Sequence, residues 1–166
     1  MTKEAELPIA RPEPDWQHLF PEIAAWIKSS PQQELDGASL ALSLARADAA
    51  LALAEFCWPS FVVINDMVLR GYSDHESLLE AVAHWMEVTH GDRGMTERLL
   101  NHEHFWHLVQ SSLPTPEAVM HWGALVREMW LAKLARDFPE RRFEVALRAG
   151  LDVDLMDHEI TFWQIR

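Results

Sequence analysis

A single cysteine, Cys57, stands among 166 residues. An intrachain disulfide is therefore excluded, and with it the disulfide-stapled class of secreted domains. Glycine is also sparse, with six residues. None falls in a Gly-x-Gly-x-x-Gly, P-loop or Gly-x-Ser-x-Gly pattern, so no phosphate-cradling loop or nucleophile elbow is expected. Long apolar runs are missing too. The nearest approach, 38–58, is broken by Ser39, Ser43, Arg46, Asp48 and Glu55, whereas a bilayer-spanning helix needs about 20 predominantly apolar residues. The opening Met1–Glu6 has neither a basic n-region nor an apolar h-region, so no signal peptide is expected, and a cytoplasmic location follows as the expectation. Positive charge is the last shortage: 14 basic residues face 26 acidic ones, for a net charge of −12. Six basic residues fall between Arg127 and Arg148, but Glu128, Asp137, Glu140 and Glu144 interrupt them. Without a basic stripe, neither nucleic acid nor an anionic membrane surface is an expected partner.

What is present is apolar and aromatic. Hydrophobic residues make up 49% of the chain and charged ones 24%, with eight tryptophans. That is too apolar for an acidic disordered protein. The length suggests one domain, large enough to bury roughly 68–70% of the unfolded surface. Residues 1–15 carry Pro8, Pro12 and Pro14 among acids and read as an extended tail. Residues 16–166 read as a single domain.

Punctuation by proline and capping residues sets out the helices. Pro21 opens a short helix that Pro31 stops. Leu40, Leu44, Ala47, Leu51 and Ala54 recur at spacings of three and four, which predicts an amphipathic helix over 38–56, ended by Pro59. Ser73-x-x-Glu76 is a capping box, followed by a helix through Leu79, Val82, Ala83 and Met86 to about Val88. Gly91 breaks that helix. Asp92 caps the next, with a stripe of Met95, Leu99, His102, Trp106 and Val109. Thr115 and Pro116 open a helix to Phe138 that shows two apolar faces, Val119/Trp122/Val126/Met129 and Met120/Ala124/Leu131/Leu134/Phe138, and Pro139 ends it.

The strands alternate. Phe61–Ile64 and Met67–Leu69 flank Asn65–Asp66, two residues that tolerate positive φ, and so predict a hairpin. Phe143, Val145 and Leu147 alternate with Glu144, Ala146 and Arg148, as do Ile160, Phe162 and Gln164 with Thr161, Trp163 and Ile165. The expected fold is α+β: about five helices with a small antiparallel four-stranded sheet in two hairpin-like pairs.

The end of the chain carries Trp130-x-x-Lys133-Leu134-x-x-Asp137-Phe138-Pro139-x-Arg141-Arg142-Phe143-x-Val145, followed later by Thr161-Phe162-Trp163-Gln164. This resembles a C-terminal pattern in a loosely defined group of small uncharacterised bacterial proteins, over less than a quarter of the chain. The resemblance implies a bacterial cytosolic source and assigns no site residues.

Chemistry concentrates in Asn101-His102-Glu103-His104-Phe105-Trp106-His107. On a regular helix Glu103–His107 are four apart and His104–His107 three apart, so Glu103, His104 and His107 are the candidate ligands for zinc or another divalent metal. His102 then sits about 160° around the helix from His104, on the apolar stripe, where a structural, hydrogen-bonded role suits it better. His84 and His90 are further potential donors. The order of residues is not His-Glu-x-x-His, and no complete catalytic set is present. The bland alternative is a surface helix with polar histidines and no cofactor. Cys57 has no local base or thiolate-stabilising group, and core packing is its expected role. Asp152, Asp154, Asp157 and Glu159 lack the glycine and terminal glutamate of a calcium loop and read as a charged strand edge.

Three functional readings follow. The first is a non-catalytic protein-binding module, by analogy with toxin inhibitors, whose acidic surface meets a basic protein partner. Trp85, Trp106, Glu80 and Glu87 are its candidate contact residues. The second is a homo-oligomeric structural domain using exposed aromatic surface. The third is a metal-binding domain or metal-dependent enzyme around Glu103, His104 and His107. The balance leans away from an enzyme.

Overall fold

The computed structural model describes residues 47–71, 75–105, 115–149 and 158–166. The expected tail, the helix after Pro21, the Ser73 end of the capping box and the acidic segment 150–157 lie outside the described residues. The class is α+β, with four helices and five strands among the described residues. The helices are α1 (Ala47–Cys57), α2 (His75–Val88), α3 (Arg93–Leu100) and α4 (Pro116–Asp137). The strands are β1 (Phe61–Ile64), β2 (Met67–Arg70), β3 (Glu103–His104), β4 (Arg142–Arg148) and β5 (Glu159–Ile165). They form a two-stranded sheet, β1-β2, and a three-stranded antiparallel sheet in the order β3-β5-β4, in place of two simple pairs.

Local chemistry accounts for the boundaries. α1 makes its last turn with Trp58 N–H on the Ala54 carbonyl, and Pro59 has no N–H to continue it. In the turn between β1 and β2, Asn65 and Asp66 both adopt positive φ (51° and 67°), as a two-residue type I′ loop requires. Asp92 caps α3 by accepting the Met95 N–H, and Thr115 caps α4 by accepting the Ala118 N–H. Three arginines hold the hairpin tip: Arg141 and Arg166 donate to the Asp66 carbonyl, and Arg141 and Arg93 face its carboxylate.

The main core lies between α4 and the three-stranded sheet. It contains Phe56, Val68, Phe105, Val119, Val126, Trp130, Leu134, Val145, Ile160 and Phe162. α4 buries Val119, Gly123, Val126, Trp130, Lys133 and Leu134, one stripe at spacings of three and four, so the two expected faces reduce to one. Gly123 sits where the helix comes closest to the sheet: a Cβ there would lie 2.7 Å from Leu147 Cδ1. Trp130 is fully buried, and its indole N–H is satisfied by the Phe56 carbonyl at 2.8 Å. The other side of β2 packs Met67 and Leu69 against Leu78 and Val82 of α2, with Ile64. β2 thus runs between two apolar clusters, which is why three successive residues, Met67, Val68 and Leu69, are all buried.

Two expected stripes are not the buried ones. In α1 the residue that enters the core is Phe56, while Leu51 stays 65% exposed. In α3, Met95 and Leu99 face outward, and the buried residues are Thr96 and Glu97. The reason is a polar junction. Glu97 accepts the backbone N–H of Val68 in β2 at 2.8 Å and that of Gln164 in β5 at 2.9 Å, and both its oxygens also take Arg166. One turn on, Asn101 accepts the Arg70 N–H and donates to the Val68 and Phe162 carbonyls. One side chain of α3 and that of its C-cap residue therefore fill the hydrogen-bonding slots between β2 and β5 that a further strand would otherwise fill. With Asn101 drawn into this junction, α3 ends at Leu100 and does not run on through His102 and Trp106 as its stripe suggested.

Candidate metal centre

Past Asn101 the chain is extended, and the period of two replaces that of the helix. His102 and His104 therefore share a face, while Glu103 points to the other. β3 pairs antiparallel with β5, with His104 opposite Glu159 and Glu103 opposite Ile160. Cross-strand partners lie on the same face of a sheet, so the register places the Glu159 carboxylate beside both imidazoles. His102 Nε2 is 2.8 Å from Glu159 Oε2, and the two histidine rings meet edge to face with centroids 4.3 Å apart. One donor atom from each of His102, His104 and Glu159 lies within 4.8 Å of the other two, and all three residues are half-buried.

Two imidazoles and a carboxylate suit zinc and other first-row divalent ions. Zinc bonds of about 2.0–2.1 Å bring tetrahedral ligand atoms to roughly 3.3 Å from one another, a modest closing of the set from its present spacing. The Glu159 oxygens already have separate partners. Oε2 faces His102, and Oε1 lies 3.4 Å from Arg148 Nη1. Arg148 is the register partner of Glu159 across β4 and β5, so it overhangs the same face.

The strand that carries the histidines is anchored from behind. Glu103 receives Arg70 Nη1 at 2.5 Å. The Arg70 guanidinium in turn lies 5.3 Å from the Phe56 ring centroid and 5.2 Å from that of Trp130. Phe105 N–H donates to the His158 carbonyl, extending the ladder one step past β3.

The geometry revises the expected ligand set of Glu103, His104 and His107. His104 stays. Glu103 leaves it, because alternate residues of a strand face opposite ways and this carboxylate is committed to Arg70. His107 lies outside the described residues. His102, which a helix would have set apart, joins the set, and so does Glu159, 57 residues further along. The signal that could have found them is the His-x-His alternation immediately after an asparagine at a helix end, together with the alternation of β5 read back to Glu159. His84 and His90 are exposed and lie elsewhere, on α2 and the turn after it.

Of the candidate contact residues, Glu80 and Glu87 are exposed on α2 and Trp85 is half-buried there, with His84 edge-on to its ring at 5.4 Å. Trp106 lies outside the described residues. Cys57 is half-buried beside the core, and burial pushes its thiol above the ordinary range, against a smaller opposite pull from a Trp122 hydrogen bond. It therefore stays a thiol at neutral pH and is no ready nucleophile. An open groove between α4 and β4, lined by Ala124, Arg127, Glu144, Ala146 and Leu147, gathers no ligand set.

No helix among the described residues is long and apolar enough to cross a membrane. No protein-family model, curated protein or solved structure matches this chain.

Proposed function

We propose that this chain is a metal-binding domain, with zinc or a similar first-row divalent ion held by His102, His104 and Glu159. The observation that carries the reading is convergence in register: two adjacent strands present three donor atoms of suitable type within 4.8 Å of one another. Among the described residues the donors number three, which leaves open the position that a closed four-ligand structural site fills. The metal therefore keeps a position for water or another ligand. Elemental analysis and calorimetric titration of the full chain, purified without a histidine tag, test this. About one equivalent of zinc is expected, falling sharply in H102A, H104A and E159A. E103A should keep the stoichiometry, because Glu103 faces the other side of β3 and pairs with Arg70. Less than about a tenth of an equivalent of zinc, manganese, iron or nickel would overturn the reading.

A second reading rests on a different surface. The outward side of α2 combines Leu79 (44% exposed) and Val88 (50% exposed) with Glu80 and Glu87. Apolar area set among carboxylates, on a chain of net charge −12, suits a basic protein partner met in the cytoplasm. The charge-reversed variant E80K/E87K should lose capture of that partner, and native capture should weaken with salt. Capture unaffected by both would refute it.

A further inference from the structure

We propose that the metal centre takes an oxyanion, a phosphate or carboxylate group, as its remaining ligand, and that Arg148 is the residue that recognises it. The inference rests on the metal-binding reading above and names the class of molecule the site would hold.

The argument begins with register. Arg148 and Glu159 are paired residues of β4 and β5, so the guanidinium stands on the face that carries the three donors. Glu159 is shared between the two groups: Oε2 lies with His102 at 2.8 Å, and Oε1 with Arg148 Nη1 at 3.4 Å. A metal bound through His102, His104 and Oε2 replaces the His102 hydrogen bond and leaves the Arg148 side of the carboxylate as it is. The guanidinium then sits beside the open position. It is 56% exposed and carries five N–H donors, so donors other than the one facing Oε1 are within reach of a solvent anion.

Charge points the same way. A divalent ion, one carboxylate and one guanidinium leave two positive charges, because the imidazoles bind neutral. Among the described residues the donor set contains no second carboxylate, and Glu103, between the two histidines, is turned to the opposite face and paired with Arg70. A neutral water in the open position leaves that excess standing, whereas an oxyanion offsets it. An oxyanion also gives the guanidinium a planar acceptor pair that its fork matches. The site is half-buried at a sheet face, so the anion is met from solvent without opening the core.

The test uses the full chain loaded with cobalt(II), whose visible bands report on its ligands. Inorganic phosphate and acetate are titrated separately, with chloride as a non-oxyanion control. The expected result is a saturable spectral change with an oxyanion. Its apparent Kd should weaken about tenfold or more in R148Q, consistent with loss of one charge-assisted hydrogen bond, with cobalt stoichiometry unchanged. R148K keeps the charge but not the fork and should fall between the two. Phosphate winning over acetate assigns a phosphoryl ligand, and the reverse assigns a carboxylate; either supports the proposal. Equal anion affinity in native and R148Q proteins, or no response beyond that to chloride, overturns it while the metal reading stands. Failure of the native chain to take up cobalt or zinc overturns both.

Discussion

At the scale of single residues, the most consequential side chain is one the sequence hides. Glu97 is fully buried and receives two backbone N–H groups and both amino groups of Arg166. Periodicity assigned the inner face of α3 to Met95 and Leu99, because apolar residues normally mark a buried side. A carboxylate can take that place only when donors come to meet it, and here they come from Val68, Gln164 and Arg166, none of them near in sequence. Glu97→Ala leaves the Val68 and Gln164 amides without an acceptor and takes from Arg166 its carboxylate, and breaking a buried pair costs about 3–5 kcal/mol. Urea denaturation should show a loss of that order, with Glu97→Gln losing less, because the amide keeps one acceptor. A loss below about 1 kcal/mol would mean that water replaces the carboxylate freely. The candidate metal donors were half legible for a related reason. The residue types stood out in 101–107, but which of them converge depends on whether the backbone there is helical or extended, and Asn101's partners on β2 and β5 decide that.

Elements were easier to read where their signals are local. The caps at Asp92 and Thr115, the stops at Pro59 and Pro139, and the Asn65–Asp66 turn all depend on residues within a few positions of one another, and each appears in the structure. The two-residue strand β3 has no such signal, since its pairing with β5 is its definition. The last turn of α4 shows how one element couples to solvent conditions. Asp137 accepts from Lys133, a lysine only 7% exposed and lying over the Trp58 and Phe61 rings, and from Arg136. The Lys133 hydrogen bond, aided by Arg136, holds the Asp137 carboxyl below its ordinary value. A carboxyl with a lowered folded pKa stabilises fully above the unfolded value of about 3.9, and that contribution fades as pH falls below it. Asp137→Asn should therefore reduce stability at pH 7, with the difference from the native chain shrinking at the acid end. A gap that stays constant from pH 7 to pH 2.5 in thermal melts would rule out the charge as the cause.

For the whole molecule, sequence reading reached the class but not the way the pieces join. Composition and alternation sufficed for α+β, since each helix and strand advertises its own period. The division into two sheets was not visible, because α3 contributes its junction through side chains that look like surface residues. The outer boundary of the larger sheet is similarly managed. Among the described strands β4 lies at the edge of its sheet, and edge strands invite pairing with other chains. Here Arg127 of α4 donates to the Val145 carbonyl at 2.7 Å, and Arg142 and Arg148 flank the strand. Arg127→Ala uncovers that carbonyl. Light scattering on the variant should show concentration-dependent association above the 19.1 kDa chain, with the native chain associating less. Equal mass profiles for both proteins would show that the edge needs no such guard.

The side-chain junction at Glu97 and Asn101 also bears on how the protein comes apart. Ordinary strands can fray from an edge one bond at a time, but these two residues hold both sheets through a single short helix. Once α3 leaves, the Val68, Arg70 and Gln164 amides lose their acceptors in the same event. Native-state hydrogen exchange should then find these three amides opening with one free energy, although they belong to different sheets. The molecule would melt as one cooperative unit, with the helix that looks most like a surface feature acting as its keystone.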